Sequence, residues 1–268
     1  MSAAVRPALD GHLRELRLPT ARRCYEEAAR RAERETLGYE AYLLEVVSRE
    51  CGQRRKARVE RLLRDSELPR EKSLPNFDLA RLPAKAARQL RTLLEGDFLD
   101  RRENVLVFGN SGSGKSHMLA ALSQELVVER ERRMRFTKCS LLVQDLLAAK
   151  RDLRLGREIK RLGRYEGLVI DDLGYVQQSR DDKEVVFTLL AERYERGSVL
   201  MTSNLPFSQW ESIFKDATMT AAAIDRLVHH SVIVELNIPS YRVEQARNRQ
   251  RAEGQGETPD PGAQPERG

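Results

Sequence analysis

Gly109-Asn110-Ser111-Gly112-Ser113-Gly114-Lys115-Ser116 is the stretch on which the fold turns. It fits the pattern G-x-x-x-x-G-K-[ST] at every fixed position. It stands between an apolar run, Asn104 to Phe108, and a helical pattern that runs from Lys115 to Glu131. That context matters chemically. Glycines let the backbone curl until successive N–H groups converge on one point, and phosphate oxygens are what such a concavity holds. The helix that follows adds roughly half a positive charge at its first turn.

The expected ligand is ATP with Mg²⁺. Lys115 is placed to reach the β- and γ-phosphates and the Ser116 hydroxyl to ligate the metal. The loop from Gly109 to Ser116, with His117 behind it, is the expected nucleotide cradle. About sixty residues on, Leu168-Val169-Ile170-Asp171-Asp172 is an apolar strand that ends in two acids. In an open parallel sheet such a strand carries its acids to the carboxyl edge, where ligands bind. Asp171 is the expected Mg²⁺ carboxylate and Asp172 the group that orients and deprotonates a water. Val199-Leu200-Met201-Thr202-Ser203-Asn204 is a third apolar run ending in polar groups, and Asn204 is either a water-holding residue or an ordinary turn former before Leu205-Pro206.

Outward from these motifs, short apolar runs alternate with helical patterns. Strands are expected at Asn104 to Phe108, Met134 to Cys139, Gly167 to Asp171, Ser198 to Ser203 and Ser231 to Leu236. Helices are expected between them, at Lys115 to Glu131 and Asp181 to Arg196. This alternation predicts an α/β domain with a central parallel five-stranded sheet flanked by helices. The expected organisation is a small all-helical N-terminal domain over 1–67 and a breaker-rich linker over 68–83, with prolines at 69, 75 and 83. The ATPase domain follows over 84–247, and a tail over 248–268 is too poor in apolar residues to order itself. In the N-terminal helices Leu44, Val47, Val59, Leu62 and Leu63 are the candidate core.

The whole chain of 268 residues is 40% apolar and 33% charged, which suits a folded protein with a heavily solvated surface. Lys and Arg outnumber Asp and Glu by 47 to 41, a modest excess that permits a polyanionic partner. No apolar run is long enough to span a membrane, and Met1 to Asp10 lacks the apolar core of a signal peptide, so a cytoplasmic protein is expected. Cys24, Cys51 and Cys139 form no C-x-x-C pair, and reduced thiols are expected.

The words around the motifs add a resemblance. Leu168-Val169-Ile170-Asp171-Asp172-Leu173-Gly174-Tyr175, Thr202-Ser203-Asn204, Ala223-Ile224-Asp225-Arg226-Leu227-Val228-His229-His230 and Ser240-Tyr241-Arg242 resemble the IstB transposition helpers. Those are AAA+ ATPases of bacterial insertion sequences, related to DnaC helicase loaders. The resemblance implies that Asn204 is sensor 1. It also implies that Arg226 is an arginine finger that reaches the nucleotide of a neighbouring subunit. Without it, Arg226 reads as a surface charge on a helix from Thr218 to His230. Arg242 is a weaker candidate for contact with nucleotide or neighbour. Most AAA+ proteins have Glu where this chain has Asp172, a side chain shorter by one methylene.

The resemblance also implies a DNA-contacting insertion at Lys150, Arg151, Arg154, Arg157, Lys160, Arg161 and Arg164. On one continuous helix, Arg154, Arg157, Arg161 and Arg164 would form nearly one stripe. Arg54, Arg55 and Arg58 form a second basic cluster, with Glu45, Glu50 and Glu60 near enough in sequence to pair with it. No aromatic ladder accompanies either cluster, so backbone contact with duplex DNA is expected rather than base stacking. The implied function is that of a DNA- and partner-stimulated ATPase serving a cognate transposase, self-assembling through ATP-bridged interfaces, with no membrane partner. The alternatives are a DnaC-like replicative helicase loader, an ATP-gated clamp that does not hydrolyse, and a small-molecule kinase.

Overall fold

A computed structural model describes residues 5–173, 180–206, 209–210, 217–241 and 243. The chain forms two compact units, Met1–Arg64 and Asp65–Gly268. The expected tail, Arg242, and Gly174 and Tyr175 of the second motif lie outside the described residues.

The first unit is helical. It contains α1 (Val5–Glu15), α2 (Pro19–Glu35) and most of α3 (Tyr39–Ser66). Pro19 opens α2 at a position where its missing N–H has no helical partner to lose. Thr36 ends that helix in the left-handed conformation, its N–H donated to Ala32 O. Ala21, Cys24, Tyr25, Ala28 and Val46 form the core, with Leu9, Leu13, Leu18 and Tyr42 packed against it. The expected core is therefore corrected: Leu44 and Val47 are 67% and 48% exposed. The core takes the small, apolar face of α2 and meets α3 at Val46, a position that turns Leu44 and Val47 outward.

Glu50 of α3 is buried and accepts the N–H groups of Thr20 (2.8 Å) and Ala21 (3.0 Å), which are left unbonded at the first turn of α2. Arg54 Nε donates to the same carboxylate at 2.8 Å. Burial pushes the Glu50 carboxyl up, but the Ala21 N–H, the Arg54 guanidinium and the Thr20 N–H together hold it below the ordinary glutamate range.

In the second unit the stretch 68–83, read from its prolines as a linker, is pinned to its own domain. Gln124 Nε2 donates to Pro69 O (2.8 Å) and Lys72 O (3.1 Å), and His117 Nε2 lies 3.0 Å from Ser73 O. A short 3-10 turn, Leu79–Arg81, is capped by the Asp78 side chain. Then come α4 (Ala84–Leu94), α5 (Asp97–Asp100), β1 (Asn104–Gly109), α6 (Lys115–Arg130), β2 (Met134–Lys138), α7 (Cys139–Arg151), α8 (Leu155–Leu162), β3 (Gly167–Asp171), α9 (Arg180–Arg193), β4 (Ser198–Ser203), α10 (Ala217–Val228) and β5 (Ser231–Leu236). The second strand stops at Lys138, since Cys139 already opens α7.

Among the described residues the strands form one parallel sheet in the order β2-β3-β4-β1-β5. Alternate strand residues point to opposite faces. Leu106, Leu168, Ile170, Val199 and Met201 join residues of α7, α8, α9 and α10 in one core cluster. α6 lies against β1, β2, β3 and β4 and buries Met118, Leu119, Leu122 and Leu126. The order places β1 between β4 and β5, and β3 beside β4. The loop after β1 and the acids after β3 are thus brought to one edge although the strands are far apart in sequence.

No helix among the described residues is long and apolar enough to cross a membrane.

Candidate nucleotide site

The loop leaves β1 at Gly109 and enters α6 at Lys115. Gly112 has φ +80°, and a Cβ there would run into the Ser240 side chain; at Gly109 a Cβ would meet the carbonyl of Leu236. Only glycine fits both a left-handed φ and so close an approach. Tyr241 N–H closes the arrangement with a bond of 3.0 Å to Gly112 O. Lys115 is 9% exposed, and its Nζ donates to the carbonyls of Gly109 and Asn110, both at 2.8 Å, so the ammonium is held over the loop.

The loop meets the chemistry of a triphosphate. The Ser113 hydroxyl is buried and, among the described residues, has no hydrogen-bond partner, which in a folded interior calls for one. Beside the loop, Gly112 to His117 share a cavity of about 200 Å³ with Phe77, Asp78, Arg81, Leu82, Ile238 and Tyr241. Arg81 spans its rim, its guanidinium 5.0 Å from the centre of the Tyr241 ring and 3.1 Å from Pro239 O. Phe77 packs on His117 with ring centres 5.1 Å apart. Sequence reasoning missed this wall. Prolines marked 68–83 as a connection, and nothing local announces that Gln124 and His117 hold it in place.

At the same edge Asp171 ends β3, buried to 6% exposure, and Asp172 follows with φ +67°. Asn204 comes just past β4 and is exposed. Lys115, Ser116, Asp171, Asp172 and Asn204 therefore all belong to the carboxyl ends of β1, β3 and β4, three strands adjacent in the sheet.

Arg226 stands at the other end. It lines a cavity of about 440 Å³ with Asn104, which starts β1, and with Arg101, Arg193, Tyr194 and Val199. Its Nη1 donates to Ala222 O at 3.1 Å, and its guanidinium sits 5.0 Å from the centre of the Phe187 ring. Arg193 beside it is buried and donates to Leu162 O, Tyr165 O, Glu166 O and Ser198 O; burial pulls it down to about 10.

The basic stretch is not one helix. α7 ends at Arg151, Leu153 takes φ +55°, and α8 runs only from Leu155 to Leu162, so Arg154 stands at its N-cap and Arg164 lies past its end. Arg154, Arg157 and Arg161 still meet, around a groove of about 320 Å³ that also holds Asp145 and Glu158. Lys150 bonds Asp181 and Glu184, both at 3.1 Å, while Arg154 pairs with Asp152 and Arg161 with Glu158. Arg151, Arg157, Lys160 and Arg164 are exposed. In the N-terminal cluster Arg54 is committed to Glu50 and to Arg17 O, while Glu45 pairs with Arg31 and Arg49 instead.

The family described as IstB-like ATP binding protein matches residues 11–249. An insertion-sequence ATP-binding protein of Sinorhizobium fredii is 38% identical over 90% of this chain and 81% of its own. The insertion sequence IS21 ATP-binding protein of Pseudomonas aeruginosa is 32% identical over 83% of each chain. Among solved structures, the crystal structure of DnaI shares the fold with a TM-score of 0.51 at 22% identity, over 63% of this chain and 94% of that one. With a glycine-rich loop, paired acids and a five-stranded parallel sheet, the chain belongs to the IstB-like family of insertion-sequence ATP-binding proteins.

Proposed function

We propose that this protein is an Mg²⁺-dependent ATPase that assembles on duplex DNA and serves as helper to a transposase. The observation that carries the catalytic part is the meeting of Lys115, Ser116, Asp171, Asp172 and Asn204 at the ends of three adjacent strands. The loop N–H groups and Lys115 bind the triphosphate, and Phe77, Arg81 and Tyr241 flank the base and ribose. Ser116 and Asp171 would hold Mg²⁺, which when bound neutralises charge on the phosphate oxygens. Asp172 takes a proton from a water that Asn204 orients; the water oxygen attacks the γ-phosphorus, and ADP leaves with the bridging oxygen.

Arg226 lines a cavity at the far end of the sheet from its own loop, which supports its use on the nucleotide of a second copy. Fingers of this kind are worth about 10³ to 10⁵ in rate. The exposed Arg151, Arg157, Lys160 and Arg164 supply phosphate contacts to DNA, and the insertion-sequence setting of the relatives points to the transposase.

The test is the ATP hydrolysis rate with and without long duplex DNA, across protein concentration. The expected rate rises with both, and Arg226→Ala lowers it in the assembled state while sparing ATP binding. A rate indifferent to DNA and concentration overturns the assembly. A response to single strands alone points to the loader reading.

A further inference from the structure

β3 and β4 pair in register from Gly167↔Ser198 to Ile170↔Met201, and there the ladder between them stops. β4 does not stop with it. Thr202 and Ser203 stay paired with Val107 and Phe108 of β1, the two residues before the phosphate loop. Past that fork the Thr202 side chain ties the acids to β4, and through it to the loop strand. The Thr202 hydroxyl donates to Asp171 Oδ1 at 2.6 Å and accepts the N–H of Asp172 at 2.8 Å. Thr202 is 1% exposed, so water does not compete for either bond.

From this we infer that Thr202 is a positioning residue for both acids, an inference that rests on the ATPase reading above. A hydroxyl has one proton to give, and here it goes to the carboxylate. The 2.6 Å separation is that of a charge-assisted bond, which fixes the rotation of the Asp171 carboxylate. The other bond fixes a backbone. Asp172 leaves the strand at φ +67°, a region non-glycine residues enter only when their surroundings hold them there. The bond from its N–H to Thr202 Oγ1 supplies such a hold and sets the direction in which the Asp172 side chain departs. Strand β4 thus sets the metal-side acid and the water-side acid together, against the strand that carries the loop.

The experiment compares Thr202→Val, Thr202→Ala and Thr202→Ser with the wild type. It measures fluorescent ATP-analogue binding over a Mg²⁺ titration, kcat and KM, and thermal melting. Groups that orient metal ligands are worth about 10- to 100-fold in metal affinity or activity. Both variants lacking the hydroxyl are expected to raise the Mg²⁺ concentration for half-maximal effect by about tenfold and to lower kcat by more than KM changes. Nucleotide affinity without Mg²⁺ should stay the same, and Thr202→Ser should restore both quantities. A Mg²⁺ midpoint shared by wild type, Thr202→Ala and Thr202→Val overturns the inference and leaves the ATPase reading intact, as does a loss in Thr202→Ser equal to that in Thr202→Val. A wild type without Mg²⁺-dependent nucleotide binding overturns both.

Discussion

Two stretches of this chain gather positive charge, and they are built in opposite ways. The loop 109–116 contains a single cation, Lys115, almost buried and bonded to two loop carbonyls, and otherwise relies on backbone shape and the start of α6. The stretch 150–164 contains seven basic side chains, of which Lys150, Arg154 and Arg161 already have acidic partners. On the proposed reading the first fixes a small anion at a defined point. The second offers a screened and adjustable surface, suited to a polymer of phosphates read without regard to sequence. The number of cations is thus a poor guide to the strength of a phosphate site, and their burial a better one.

The comparison breaks first at Lys115. Lys115→Ala should weaken ATP binding by about a hundredfold or more, since a buried charge pair is worth about 2 to 5 kcal/mol. Equilibrium binding of a labelled nucleotide measures it, and an unchanged affinity would refute the loop assignment. A smaller loss is expected on the proposed DNA side. Converting Arg157 and Lys160 to Glu should lower duplex affinity by about tenfold, equally for unrelated sequences. It should also flatten the salt dependence by about 0.9 in log–log slope per contact removed. A loss confined to one sequence contradicts phosphate contact.

The smallest effect concerns a cation whose partner is structural. Arg54 stands in a basic cluster yet bonds the buried Glu50. Because Glu50 is held below its unfolded range, near about 4.3, its stabilising contribution is complete above that range. It is lost as the pH falls through the lower folded value. Acid melting of the helical unit followed by circular dichroism should therefore show a step that Glu50→Gln removes; an unchanged acid profile would contradict the capping role.

Legibility in the sequence follows the same divide. The three inner strands, β1, β3 and β4, are found where apolar runs between breakers place them, because a strand buried on both faces must be largely apolar along its length. The loop was legible because its glycines, lysine and serine stand at fixed spacing between a strand and a helix, although the close approach that Gly112 allows comes from Ser240, far along the chain. The break at Leu153 was not, since neither Gly nor Pro stands at 151–154 and a left-handed leucine has no local signature. The true core position of α3, Val46 rather than its apolar neighbours Leu44 and Val47, depends on which face of α2 it meets. Thr202 is likewise invisible to spacing. It reads as one more strand residue until the strand order puts it beside Asp171.

The bond from Tyr241 to Gly112 has a consequence for synthesis. Gly109 pairs with Leu236 of β5, and the chain just beyond that strand seals the loop at Gly112. On the ribosome, residues 109–116 emerge long before residues 236–241. The loop motif is therefore complete as sequence well before it is complete as a shape. A nascent chain stalled ahead of residue 236 lacks the wall against which the loop packs, and on the proposed reading ATP adds its full binding energy to folding once β5 has docked.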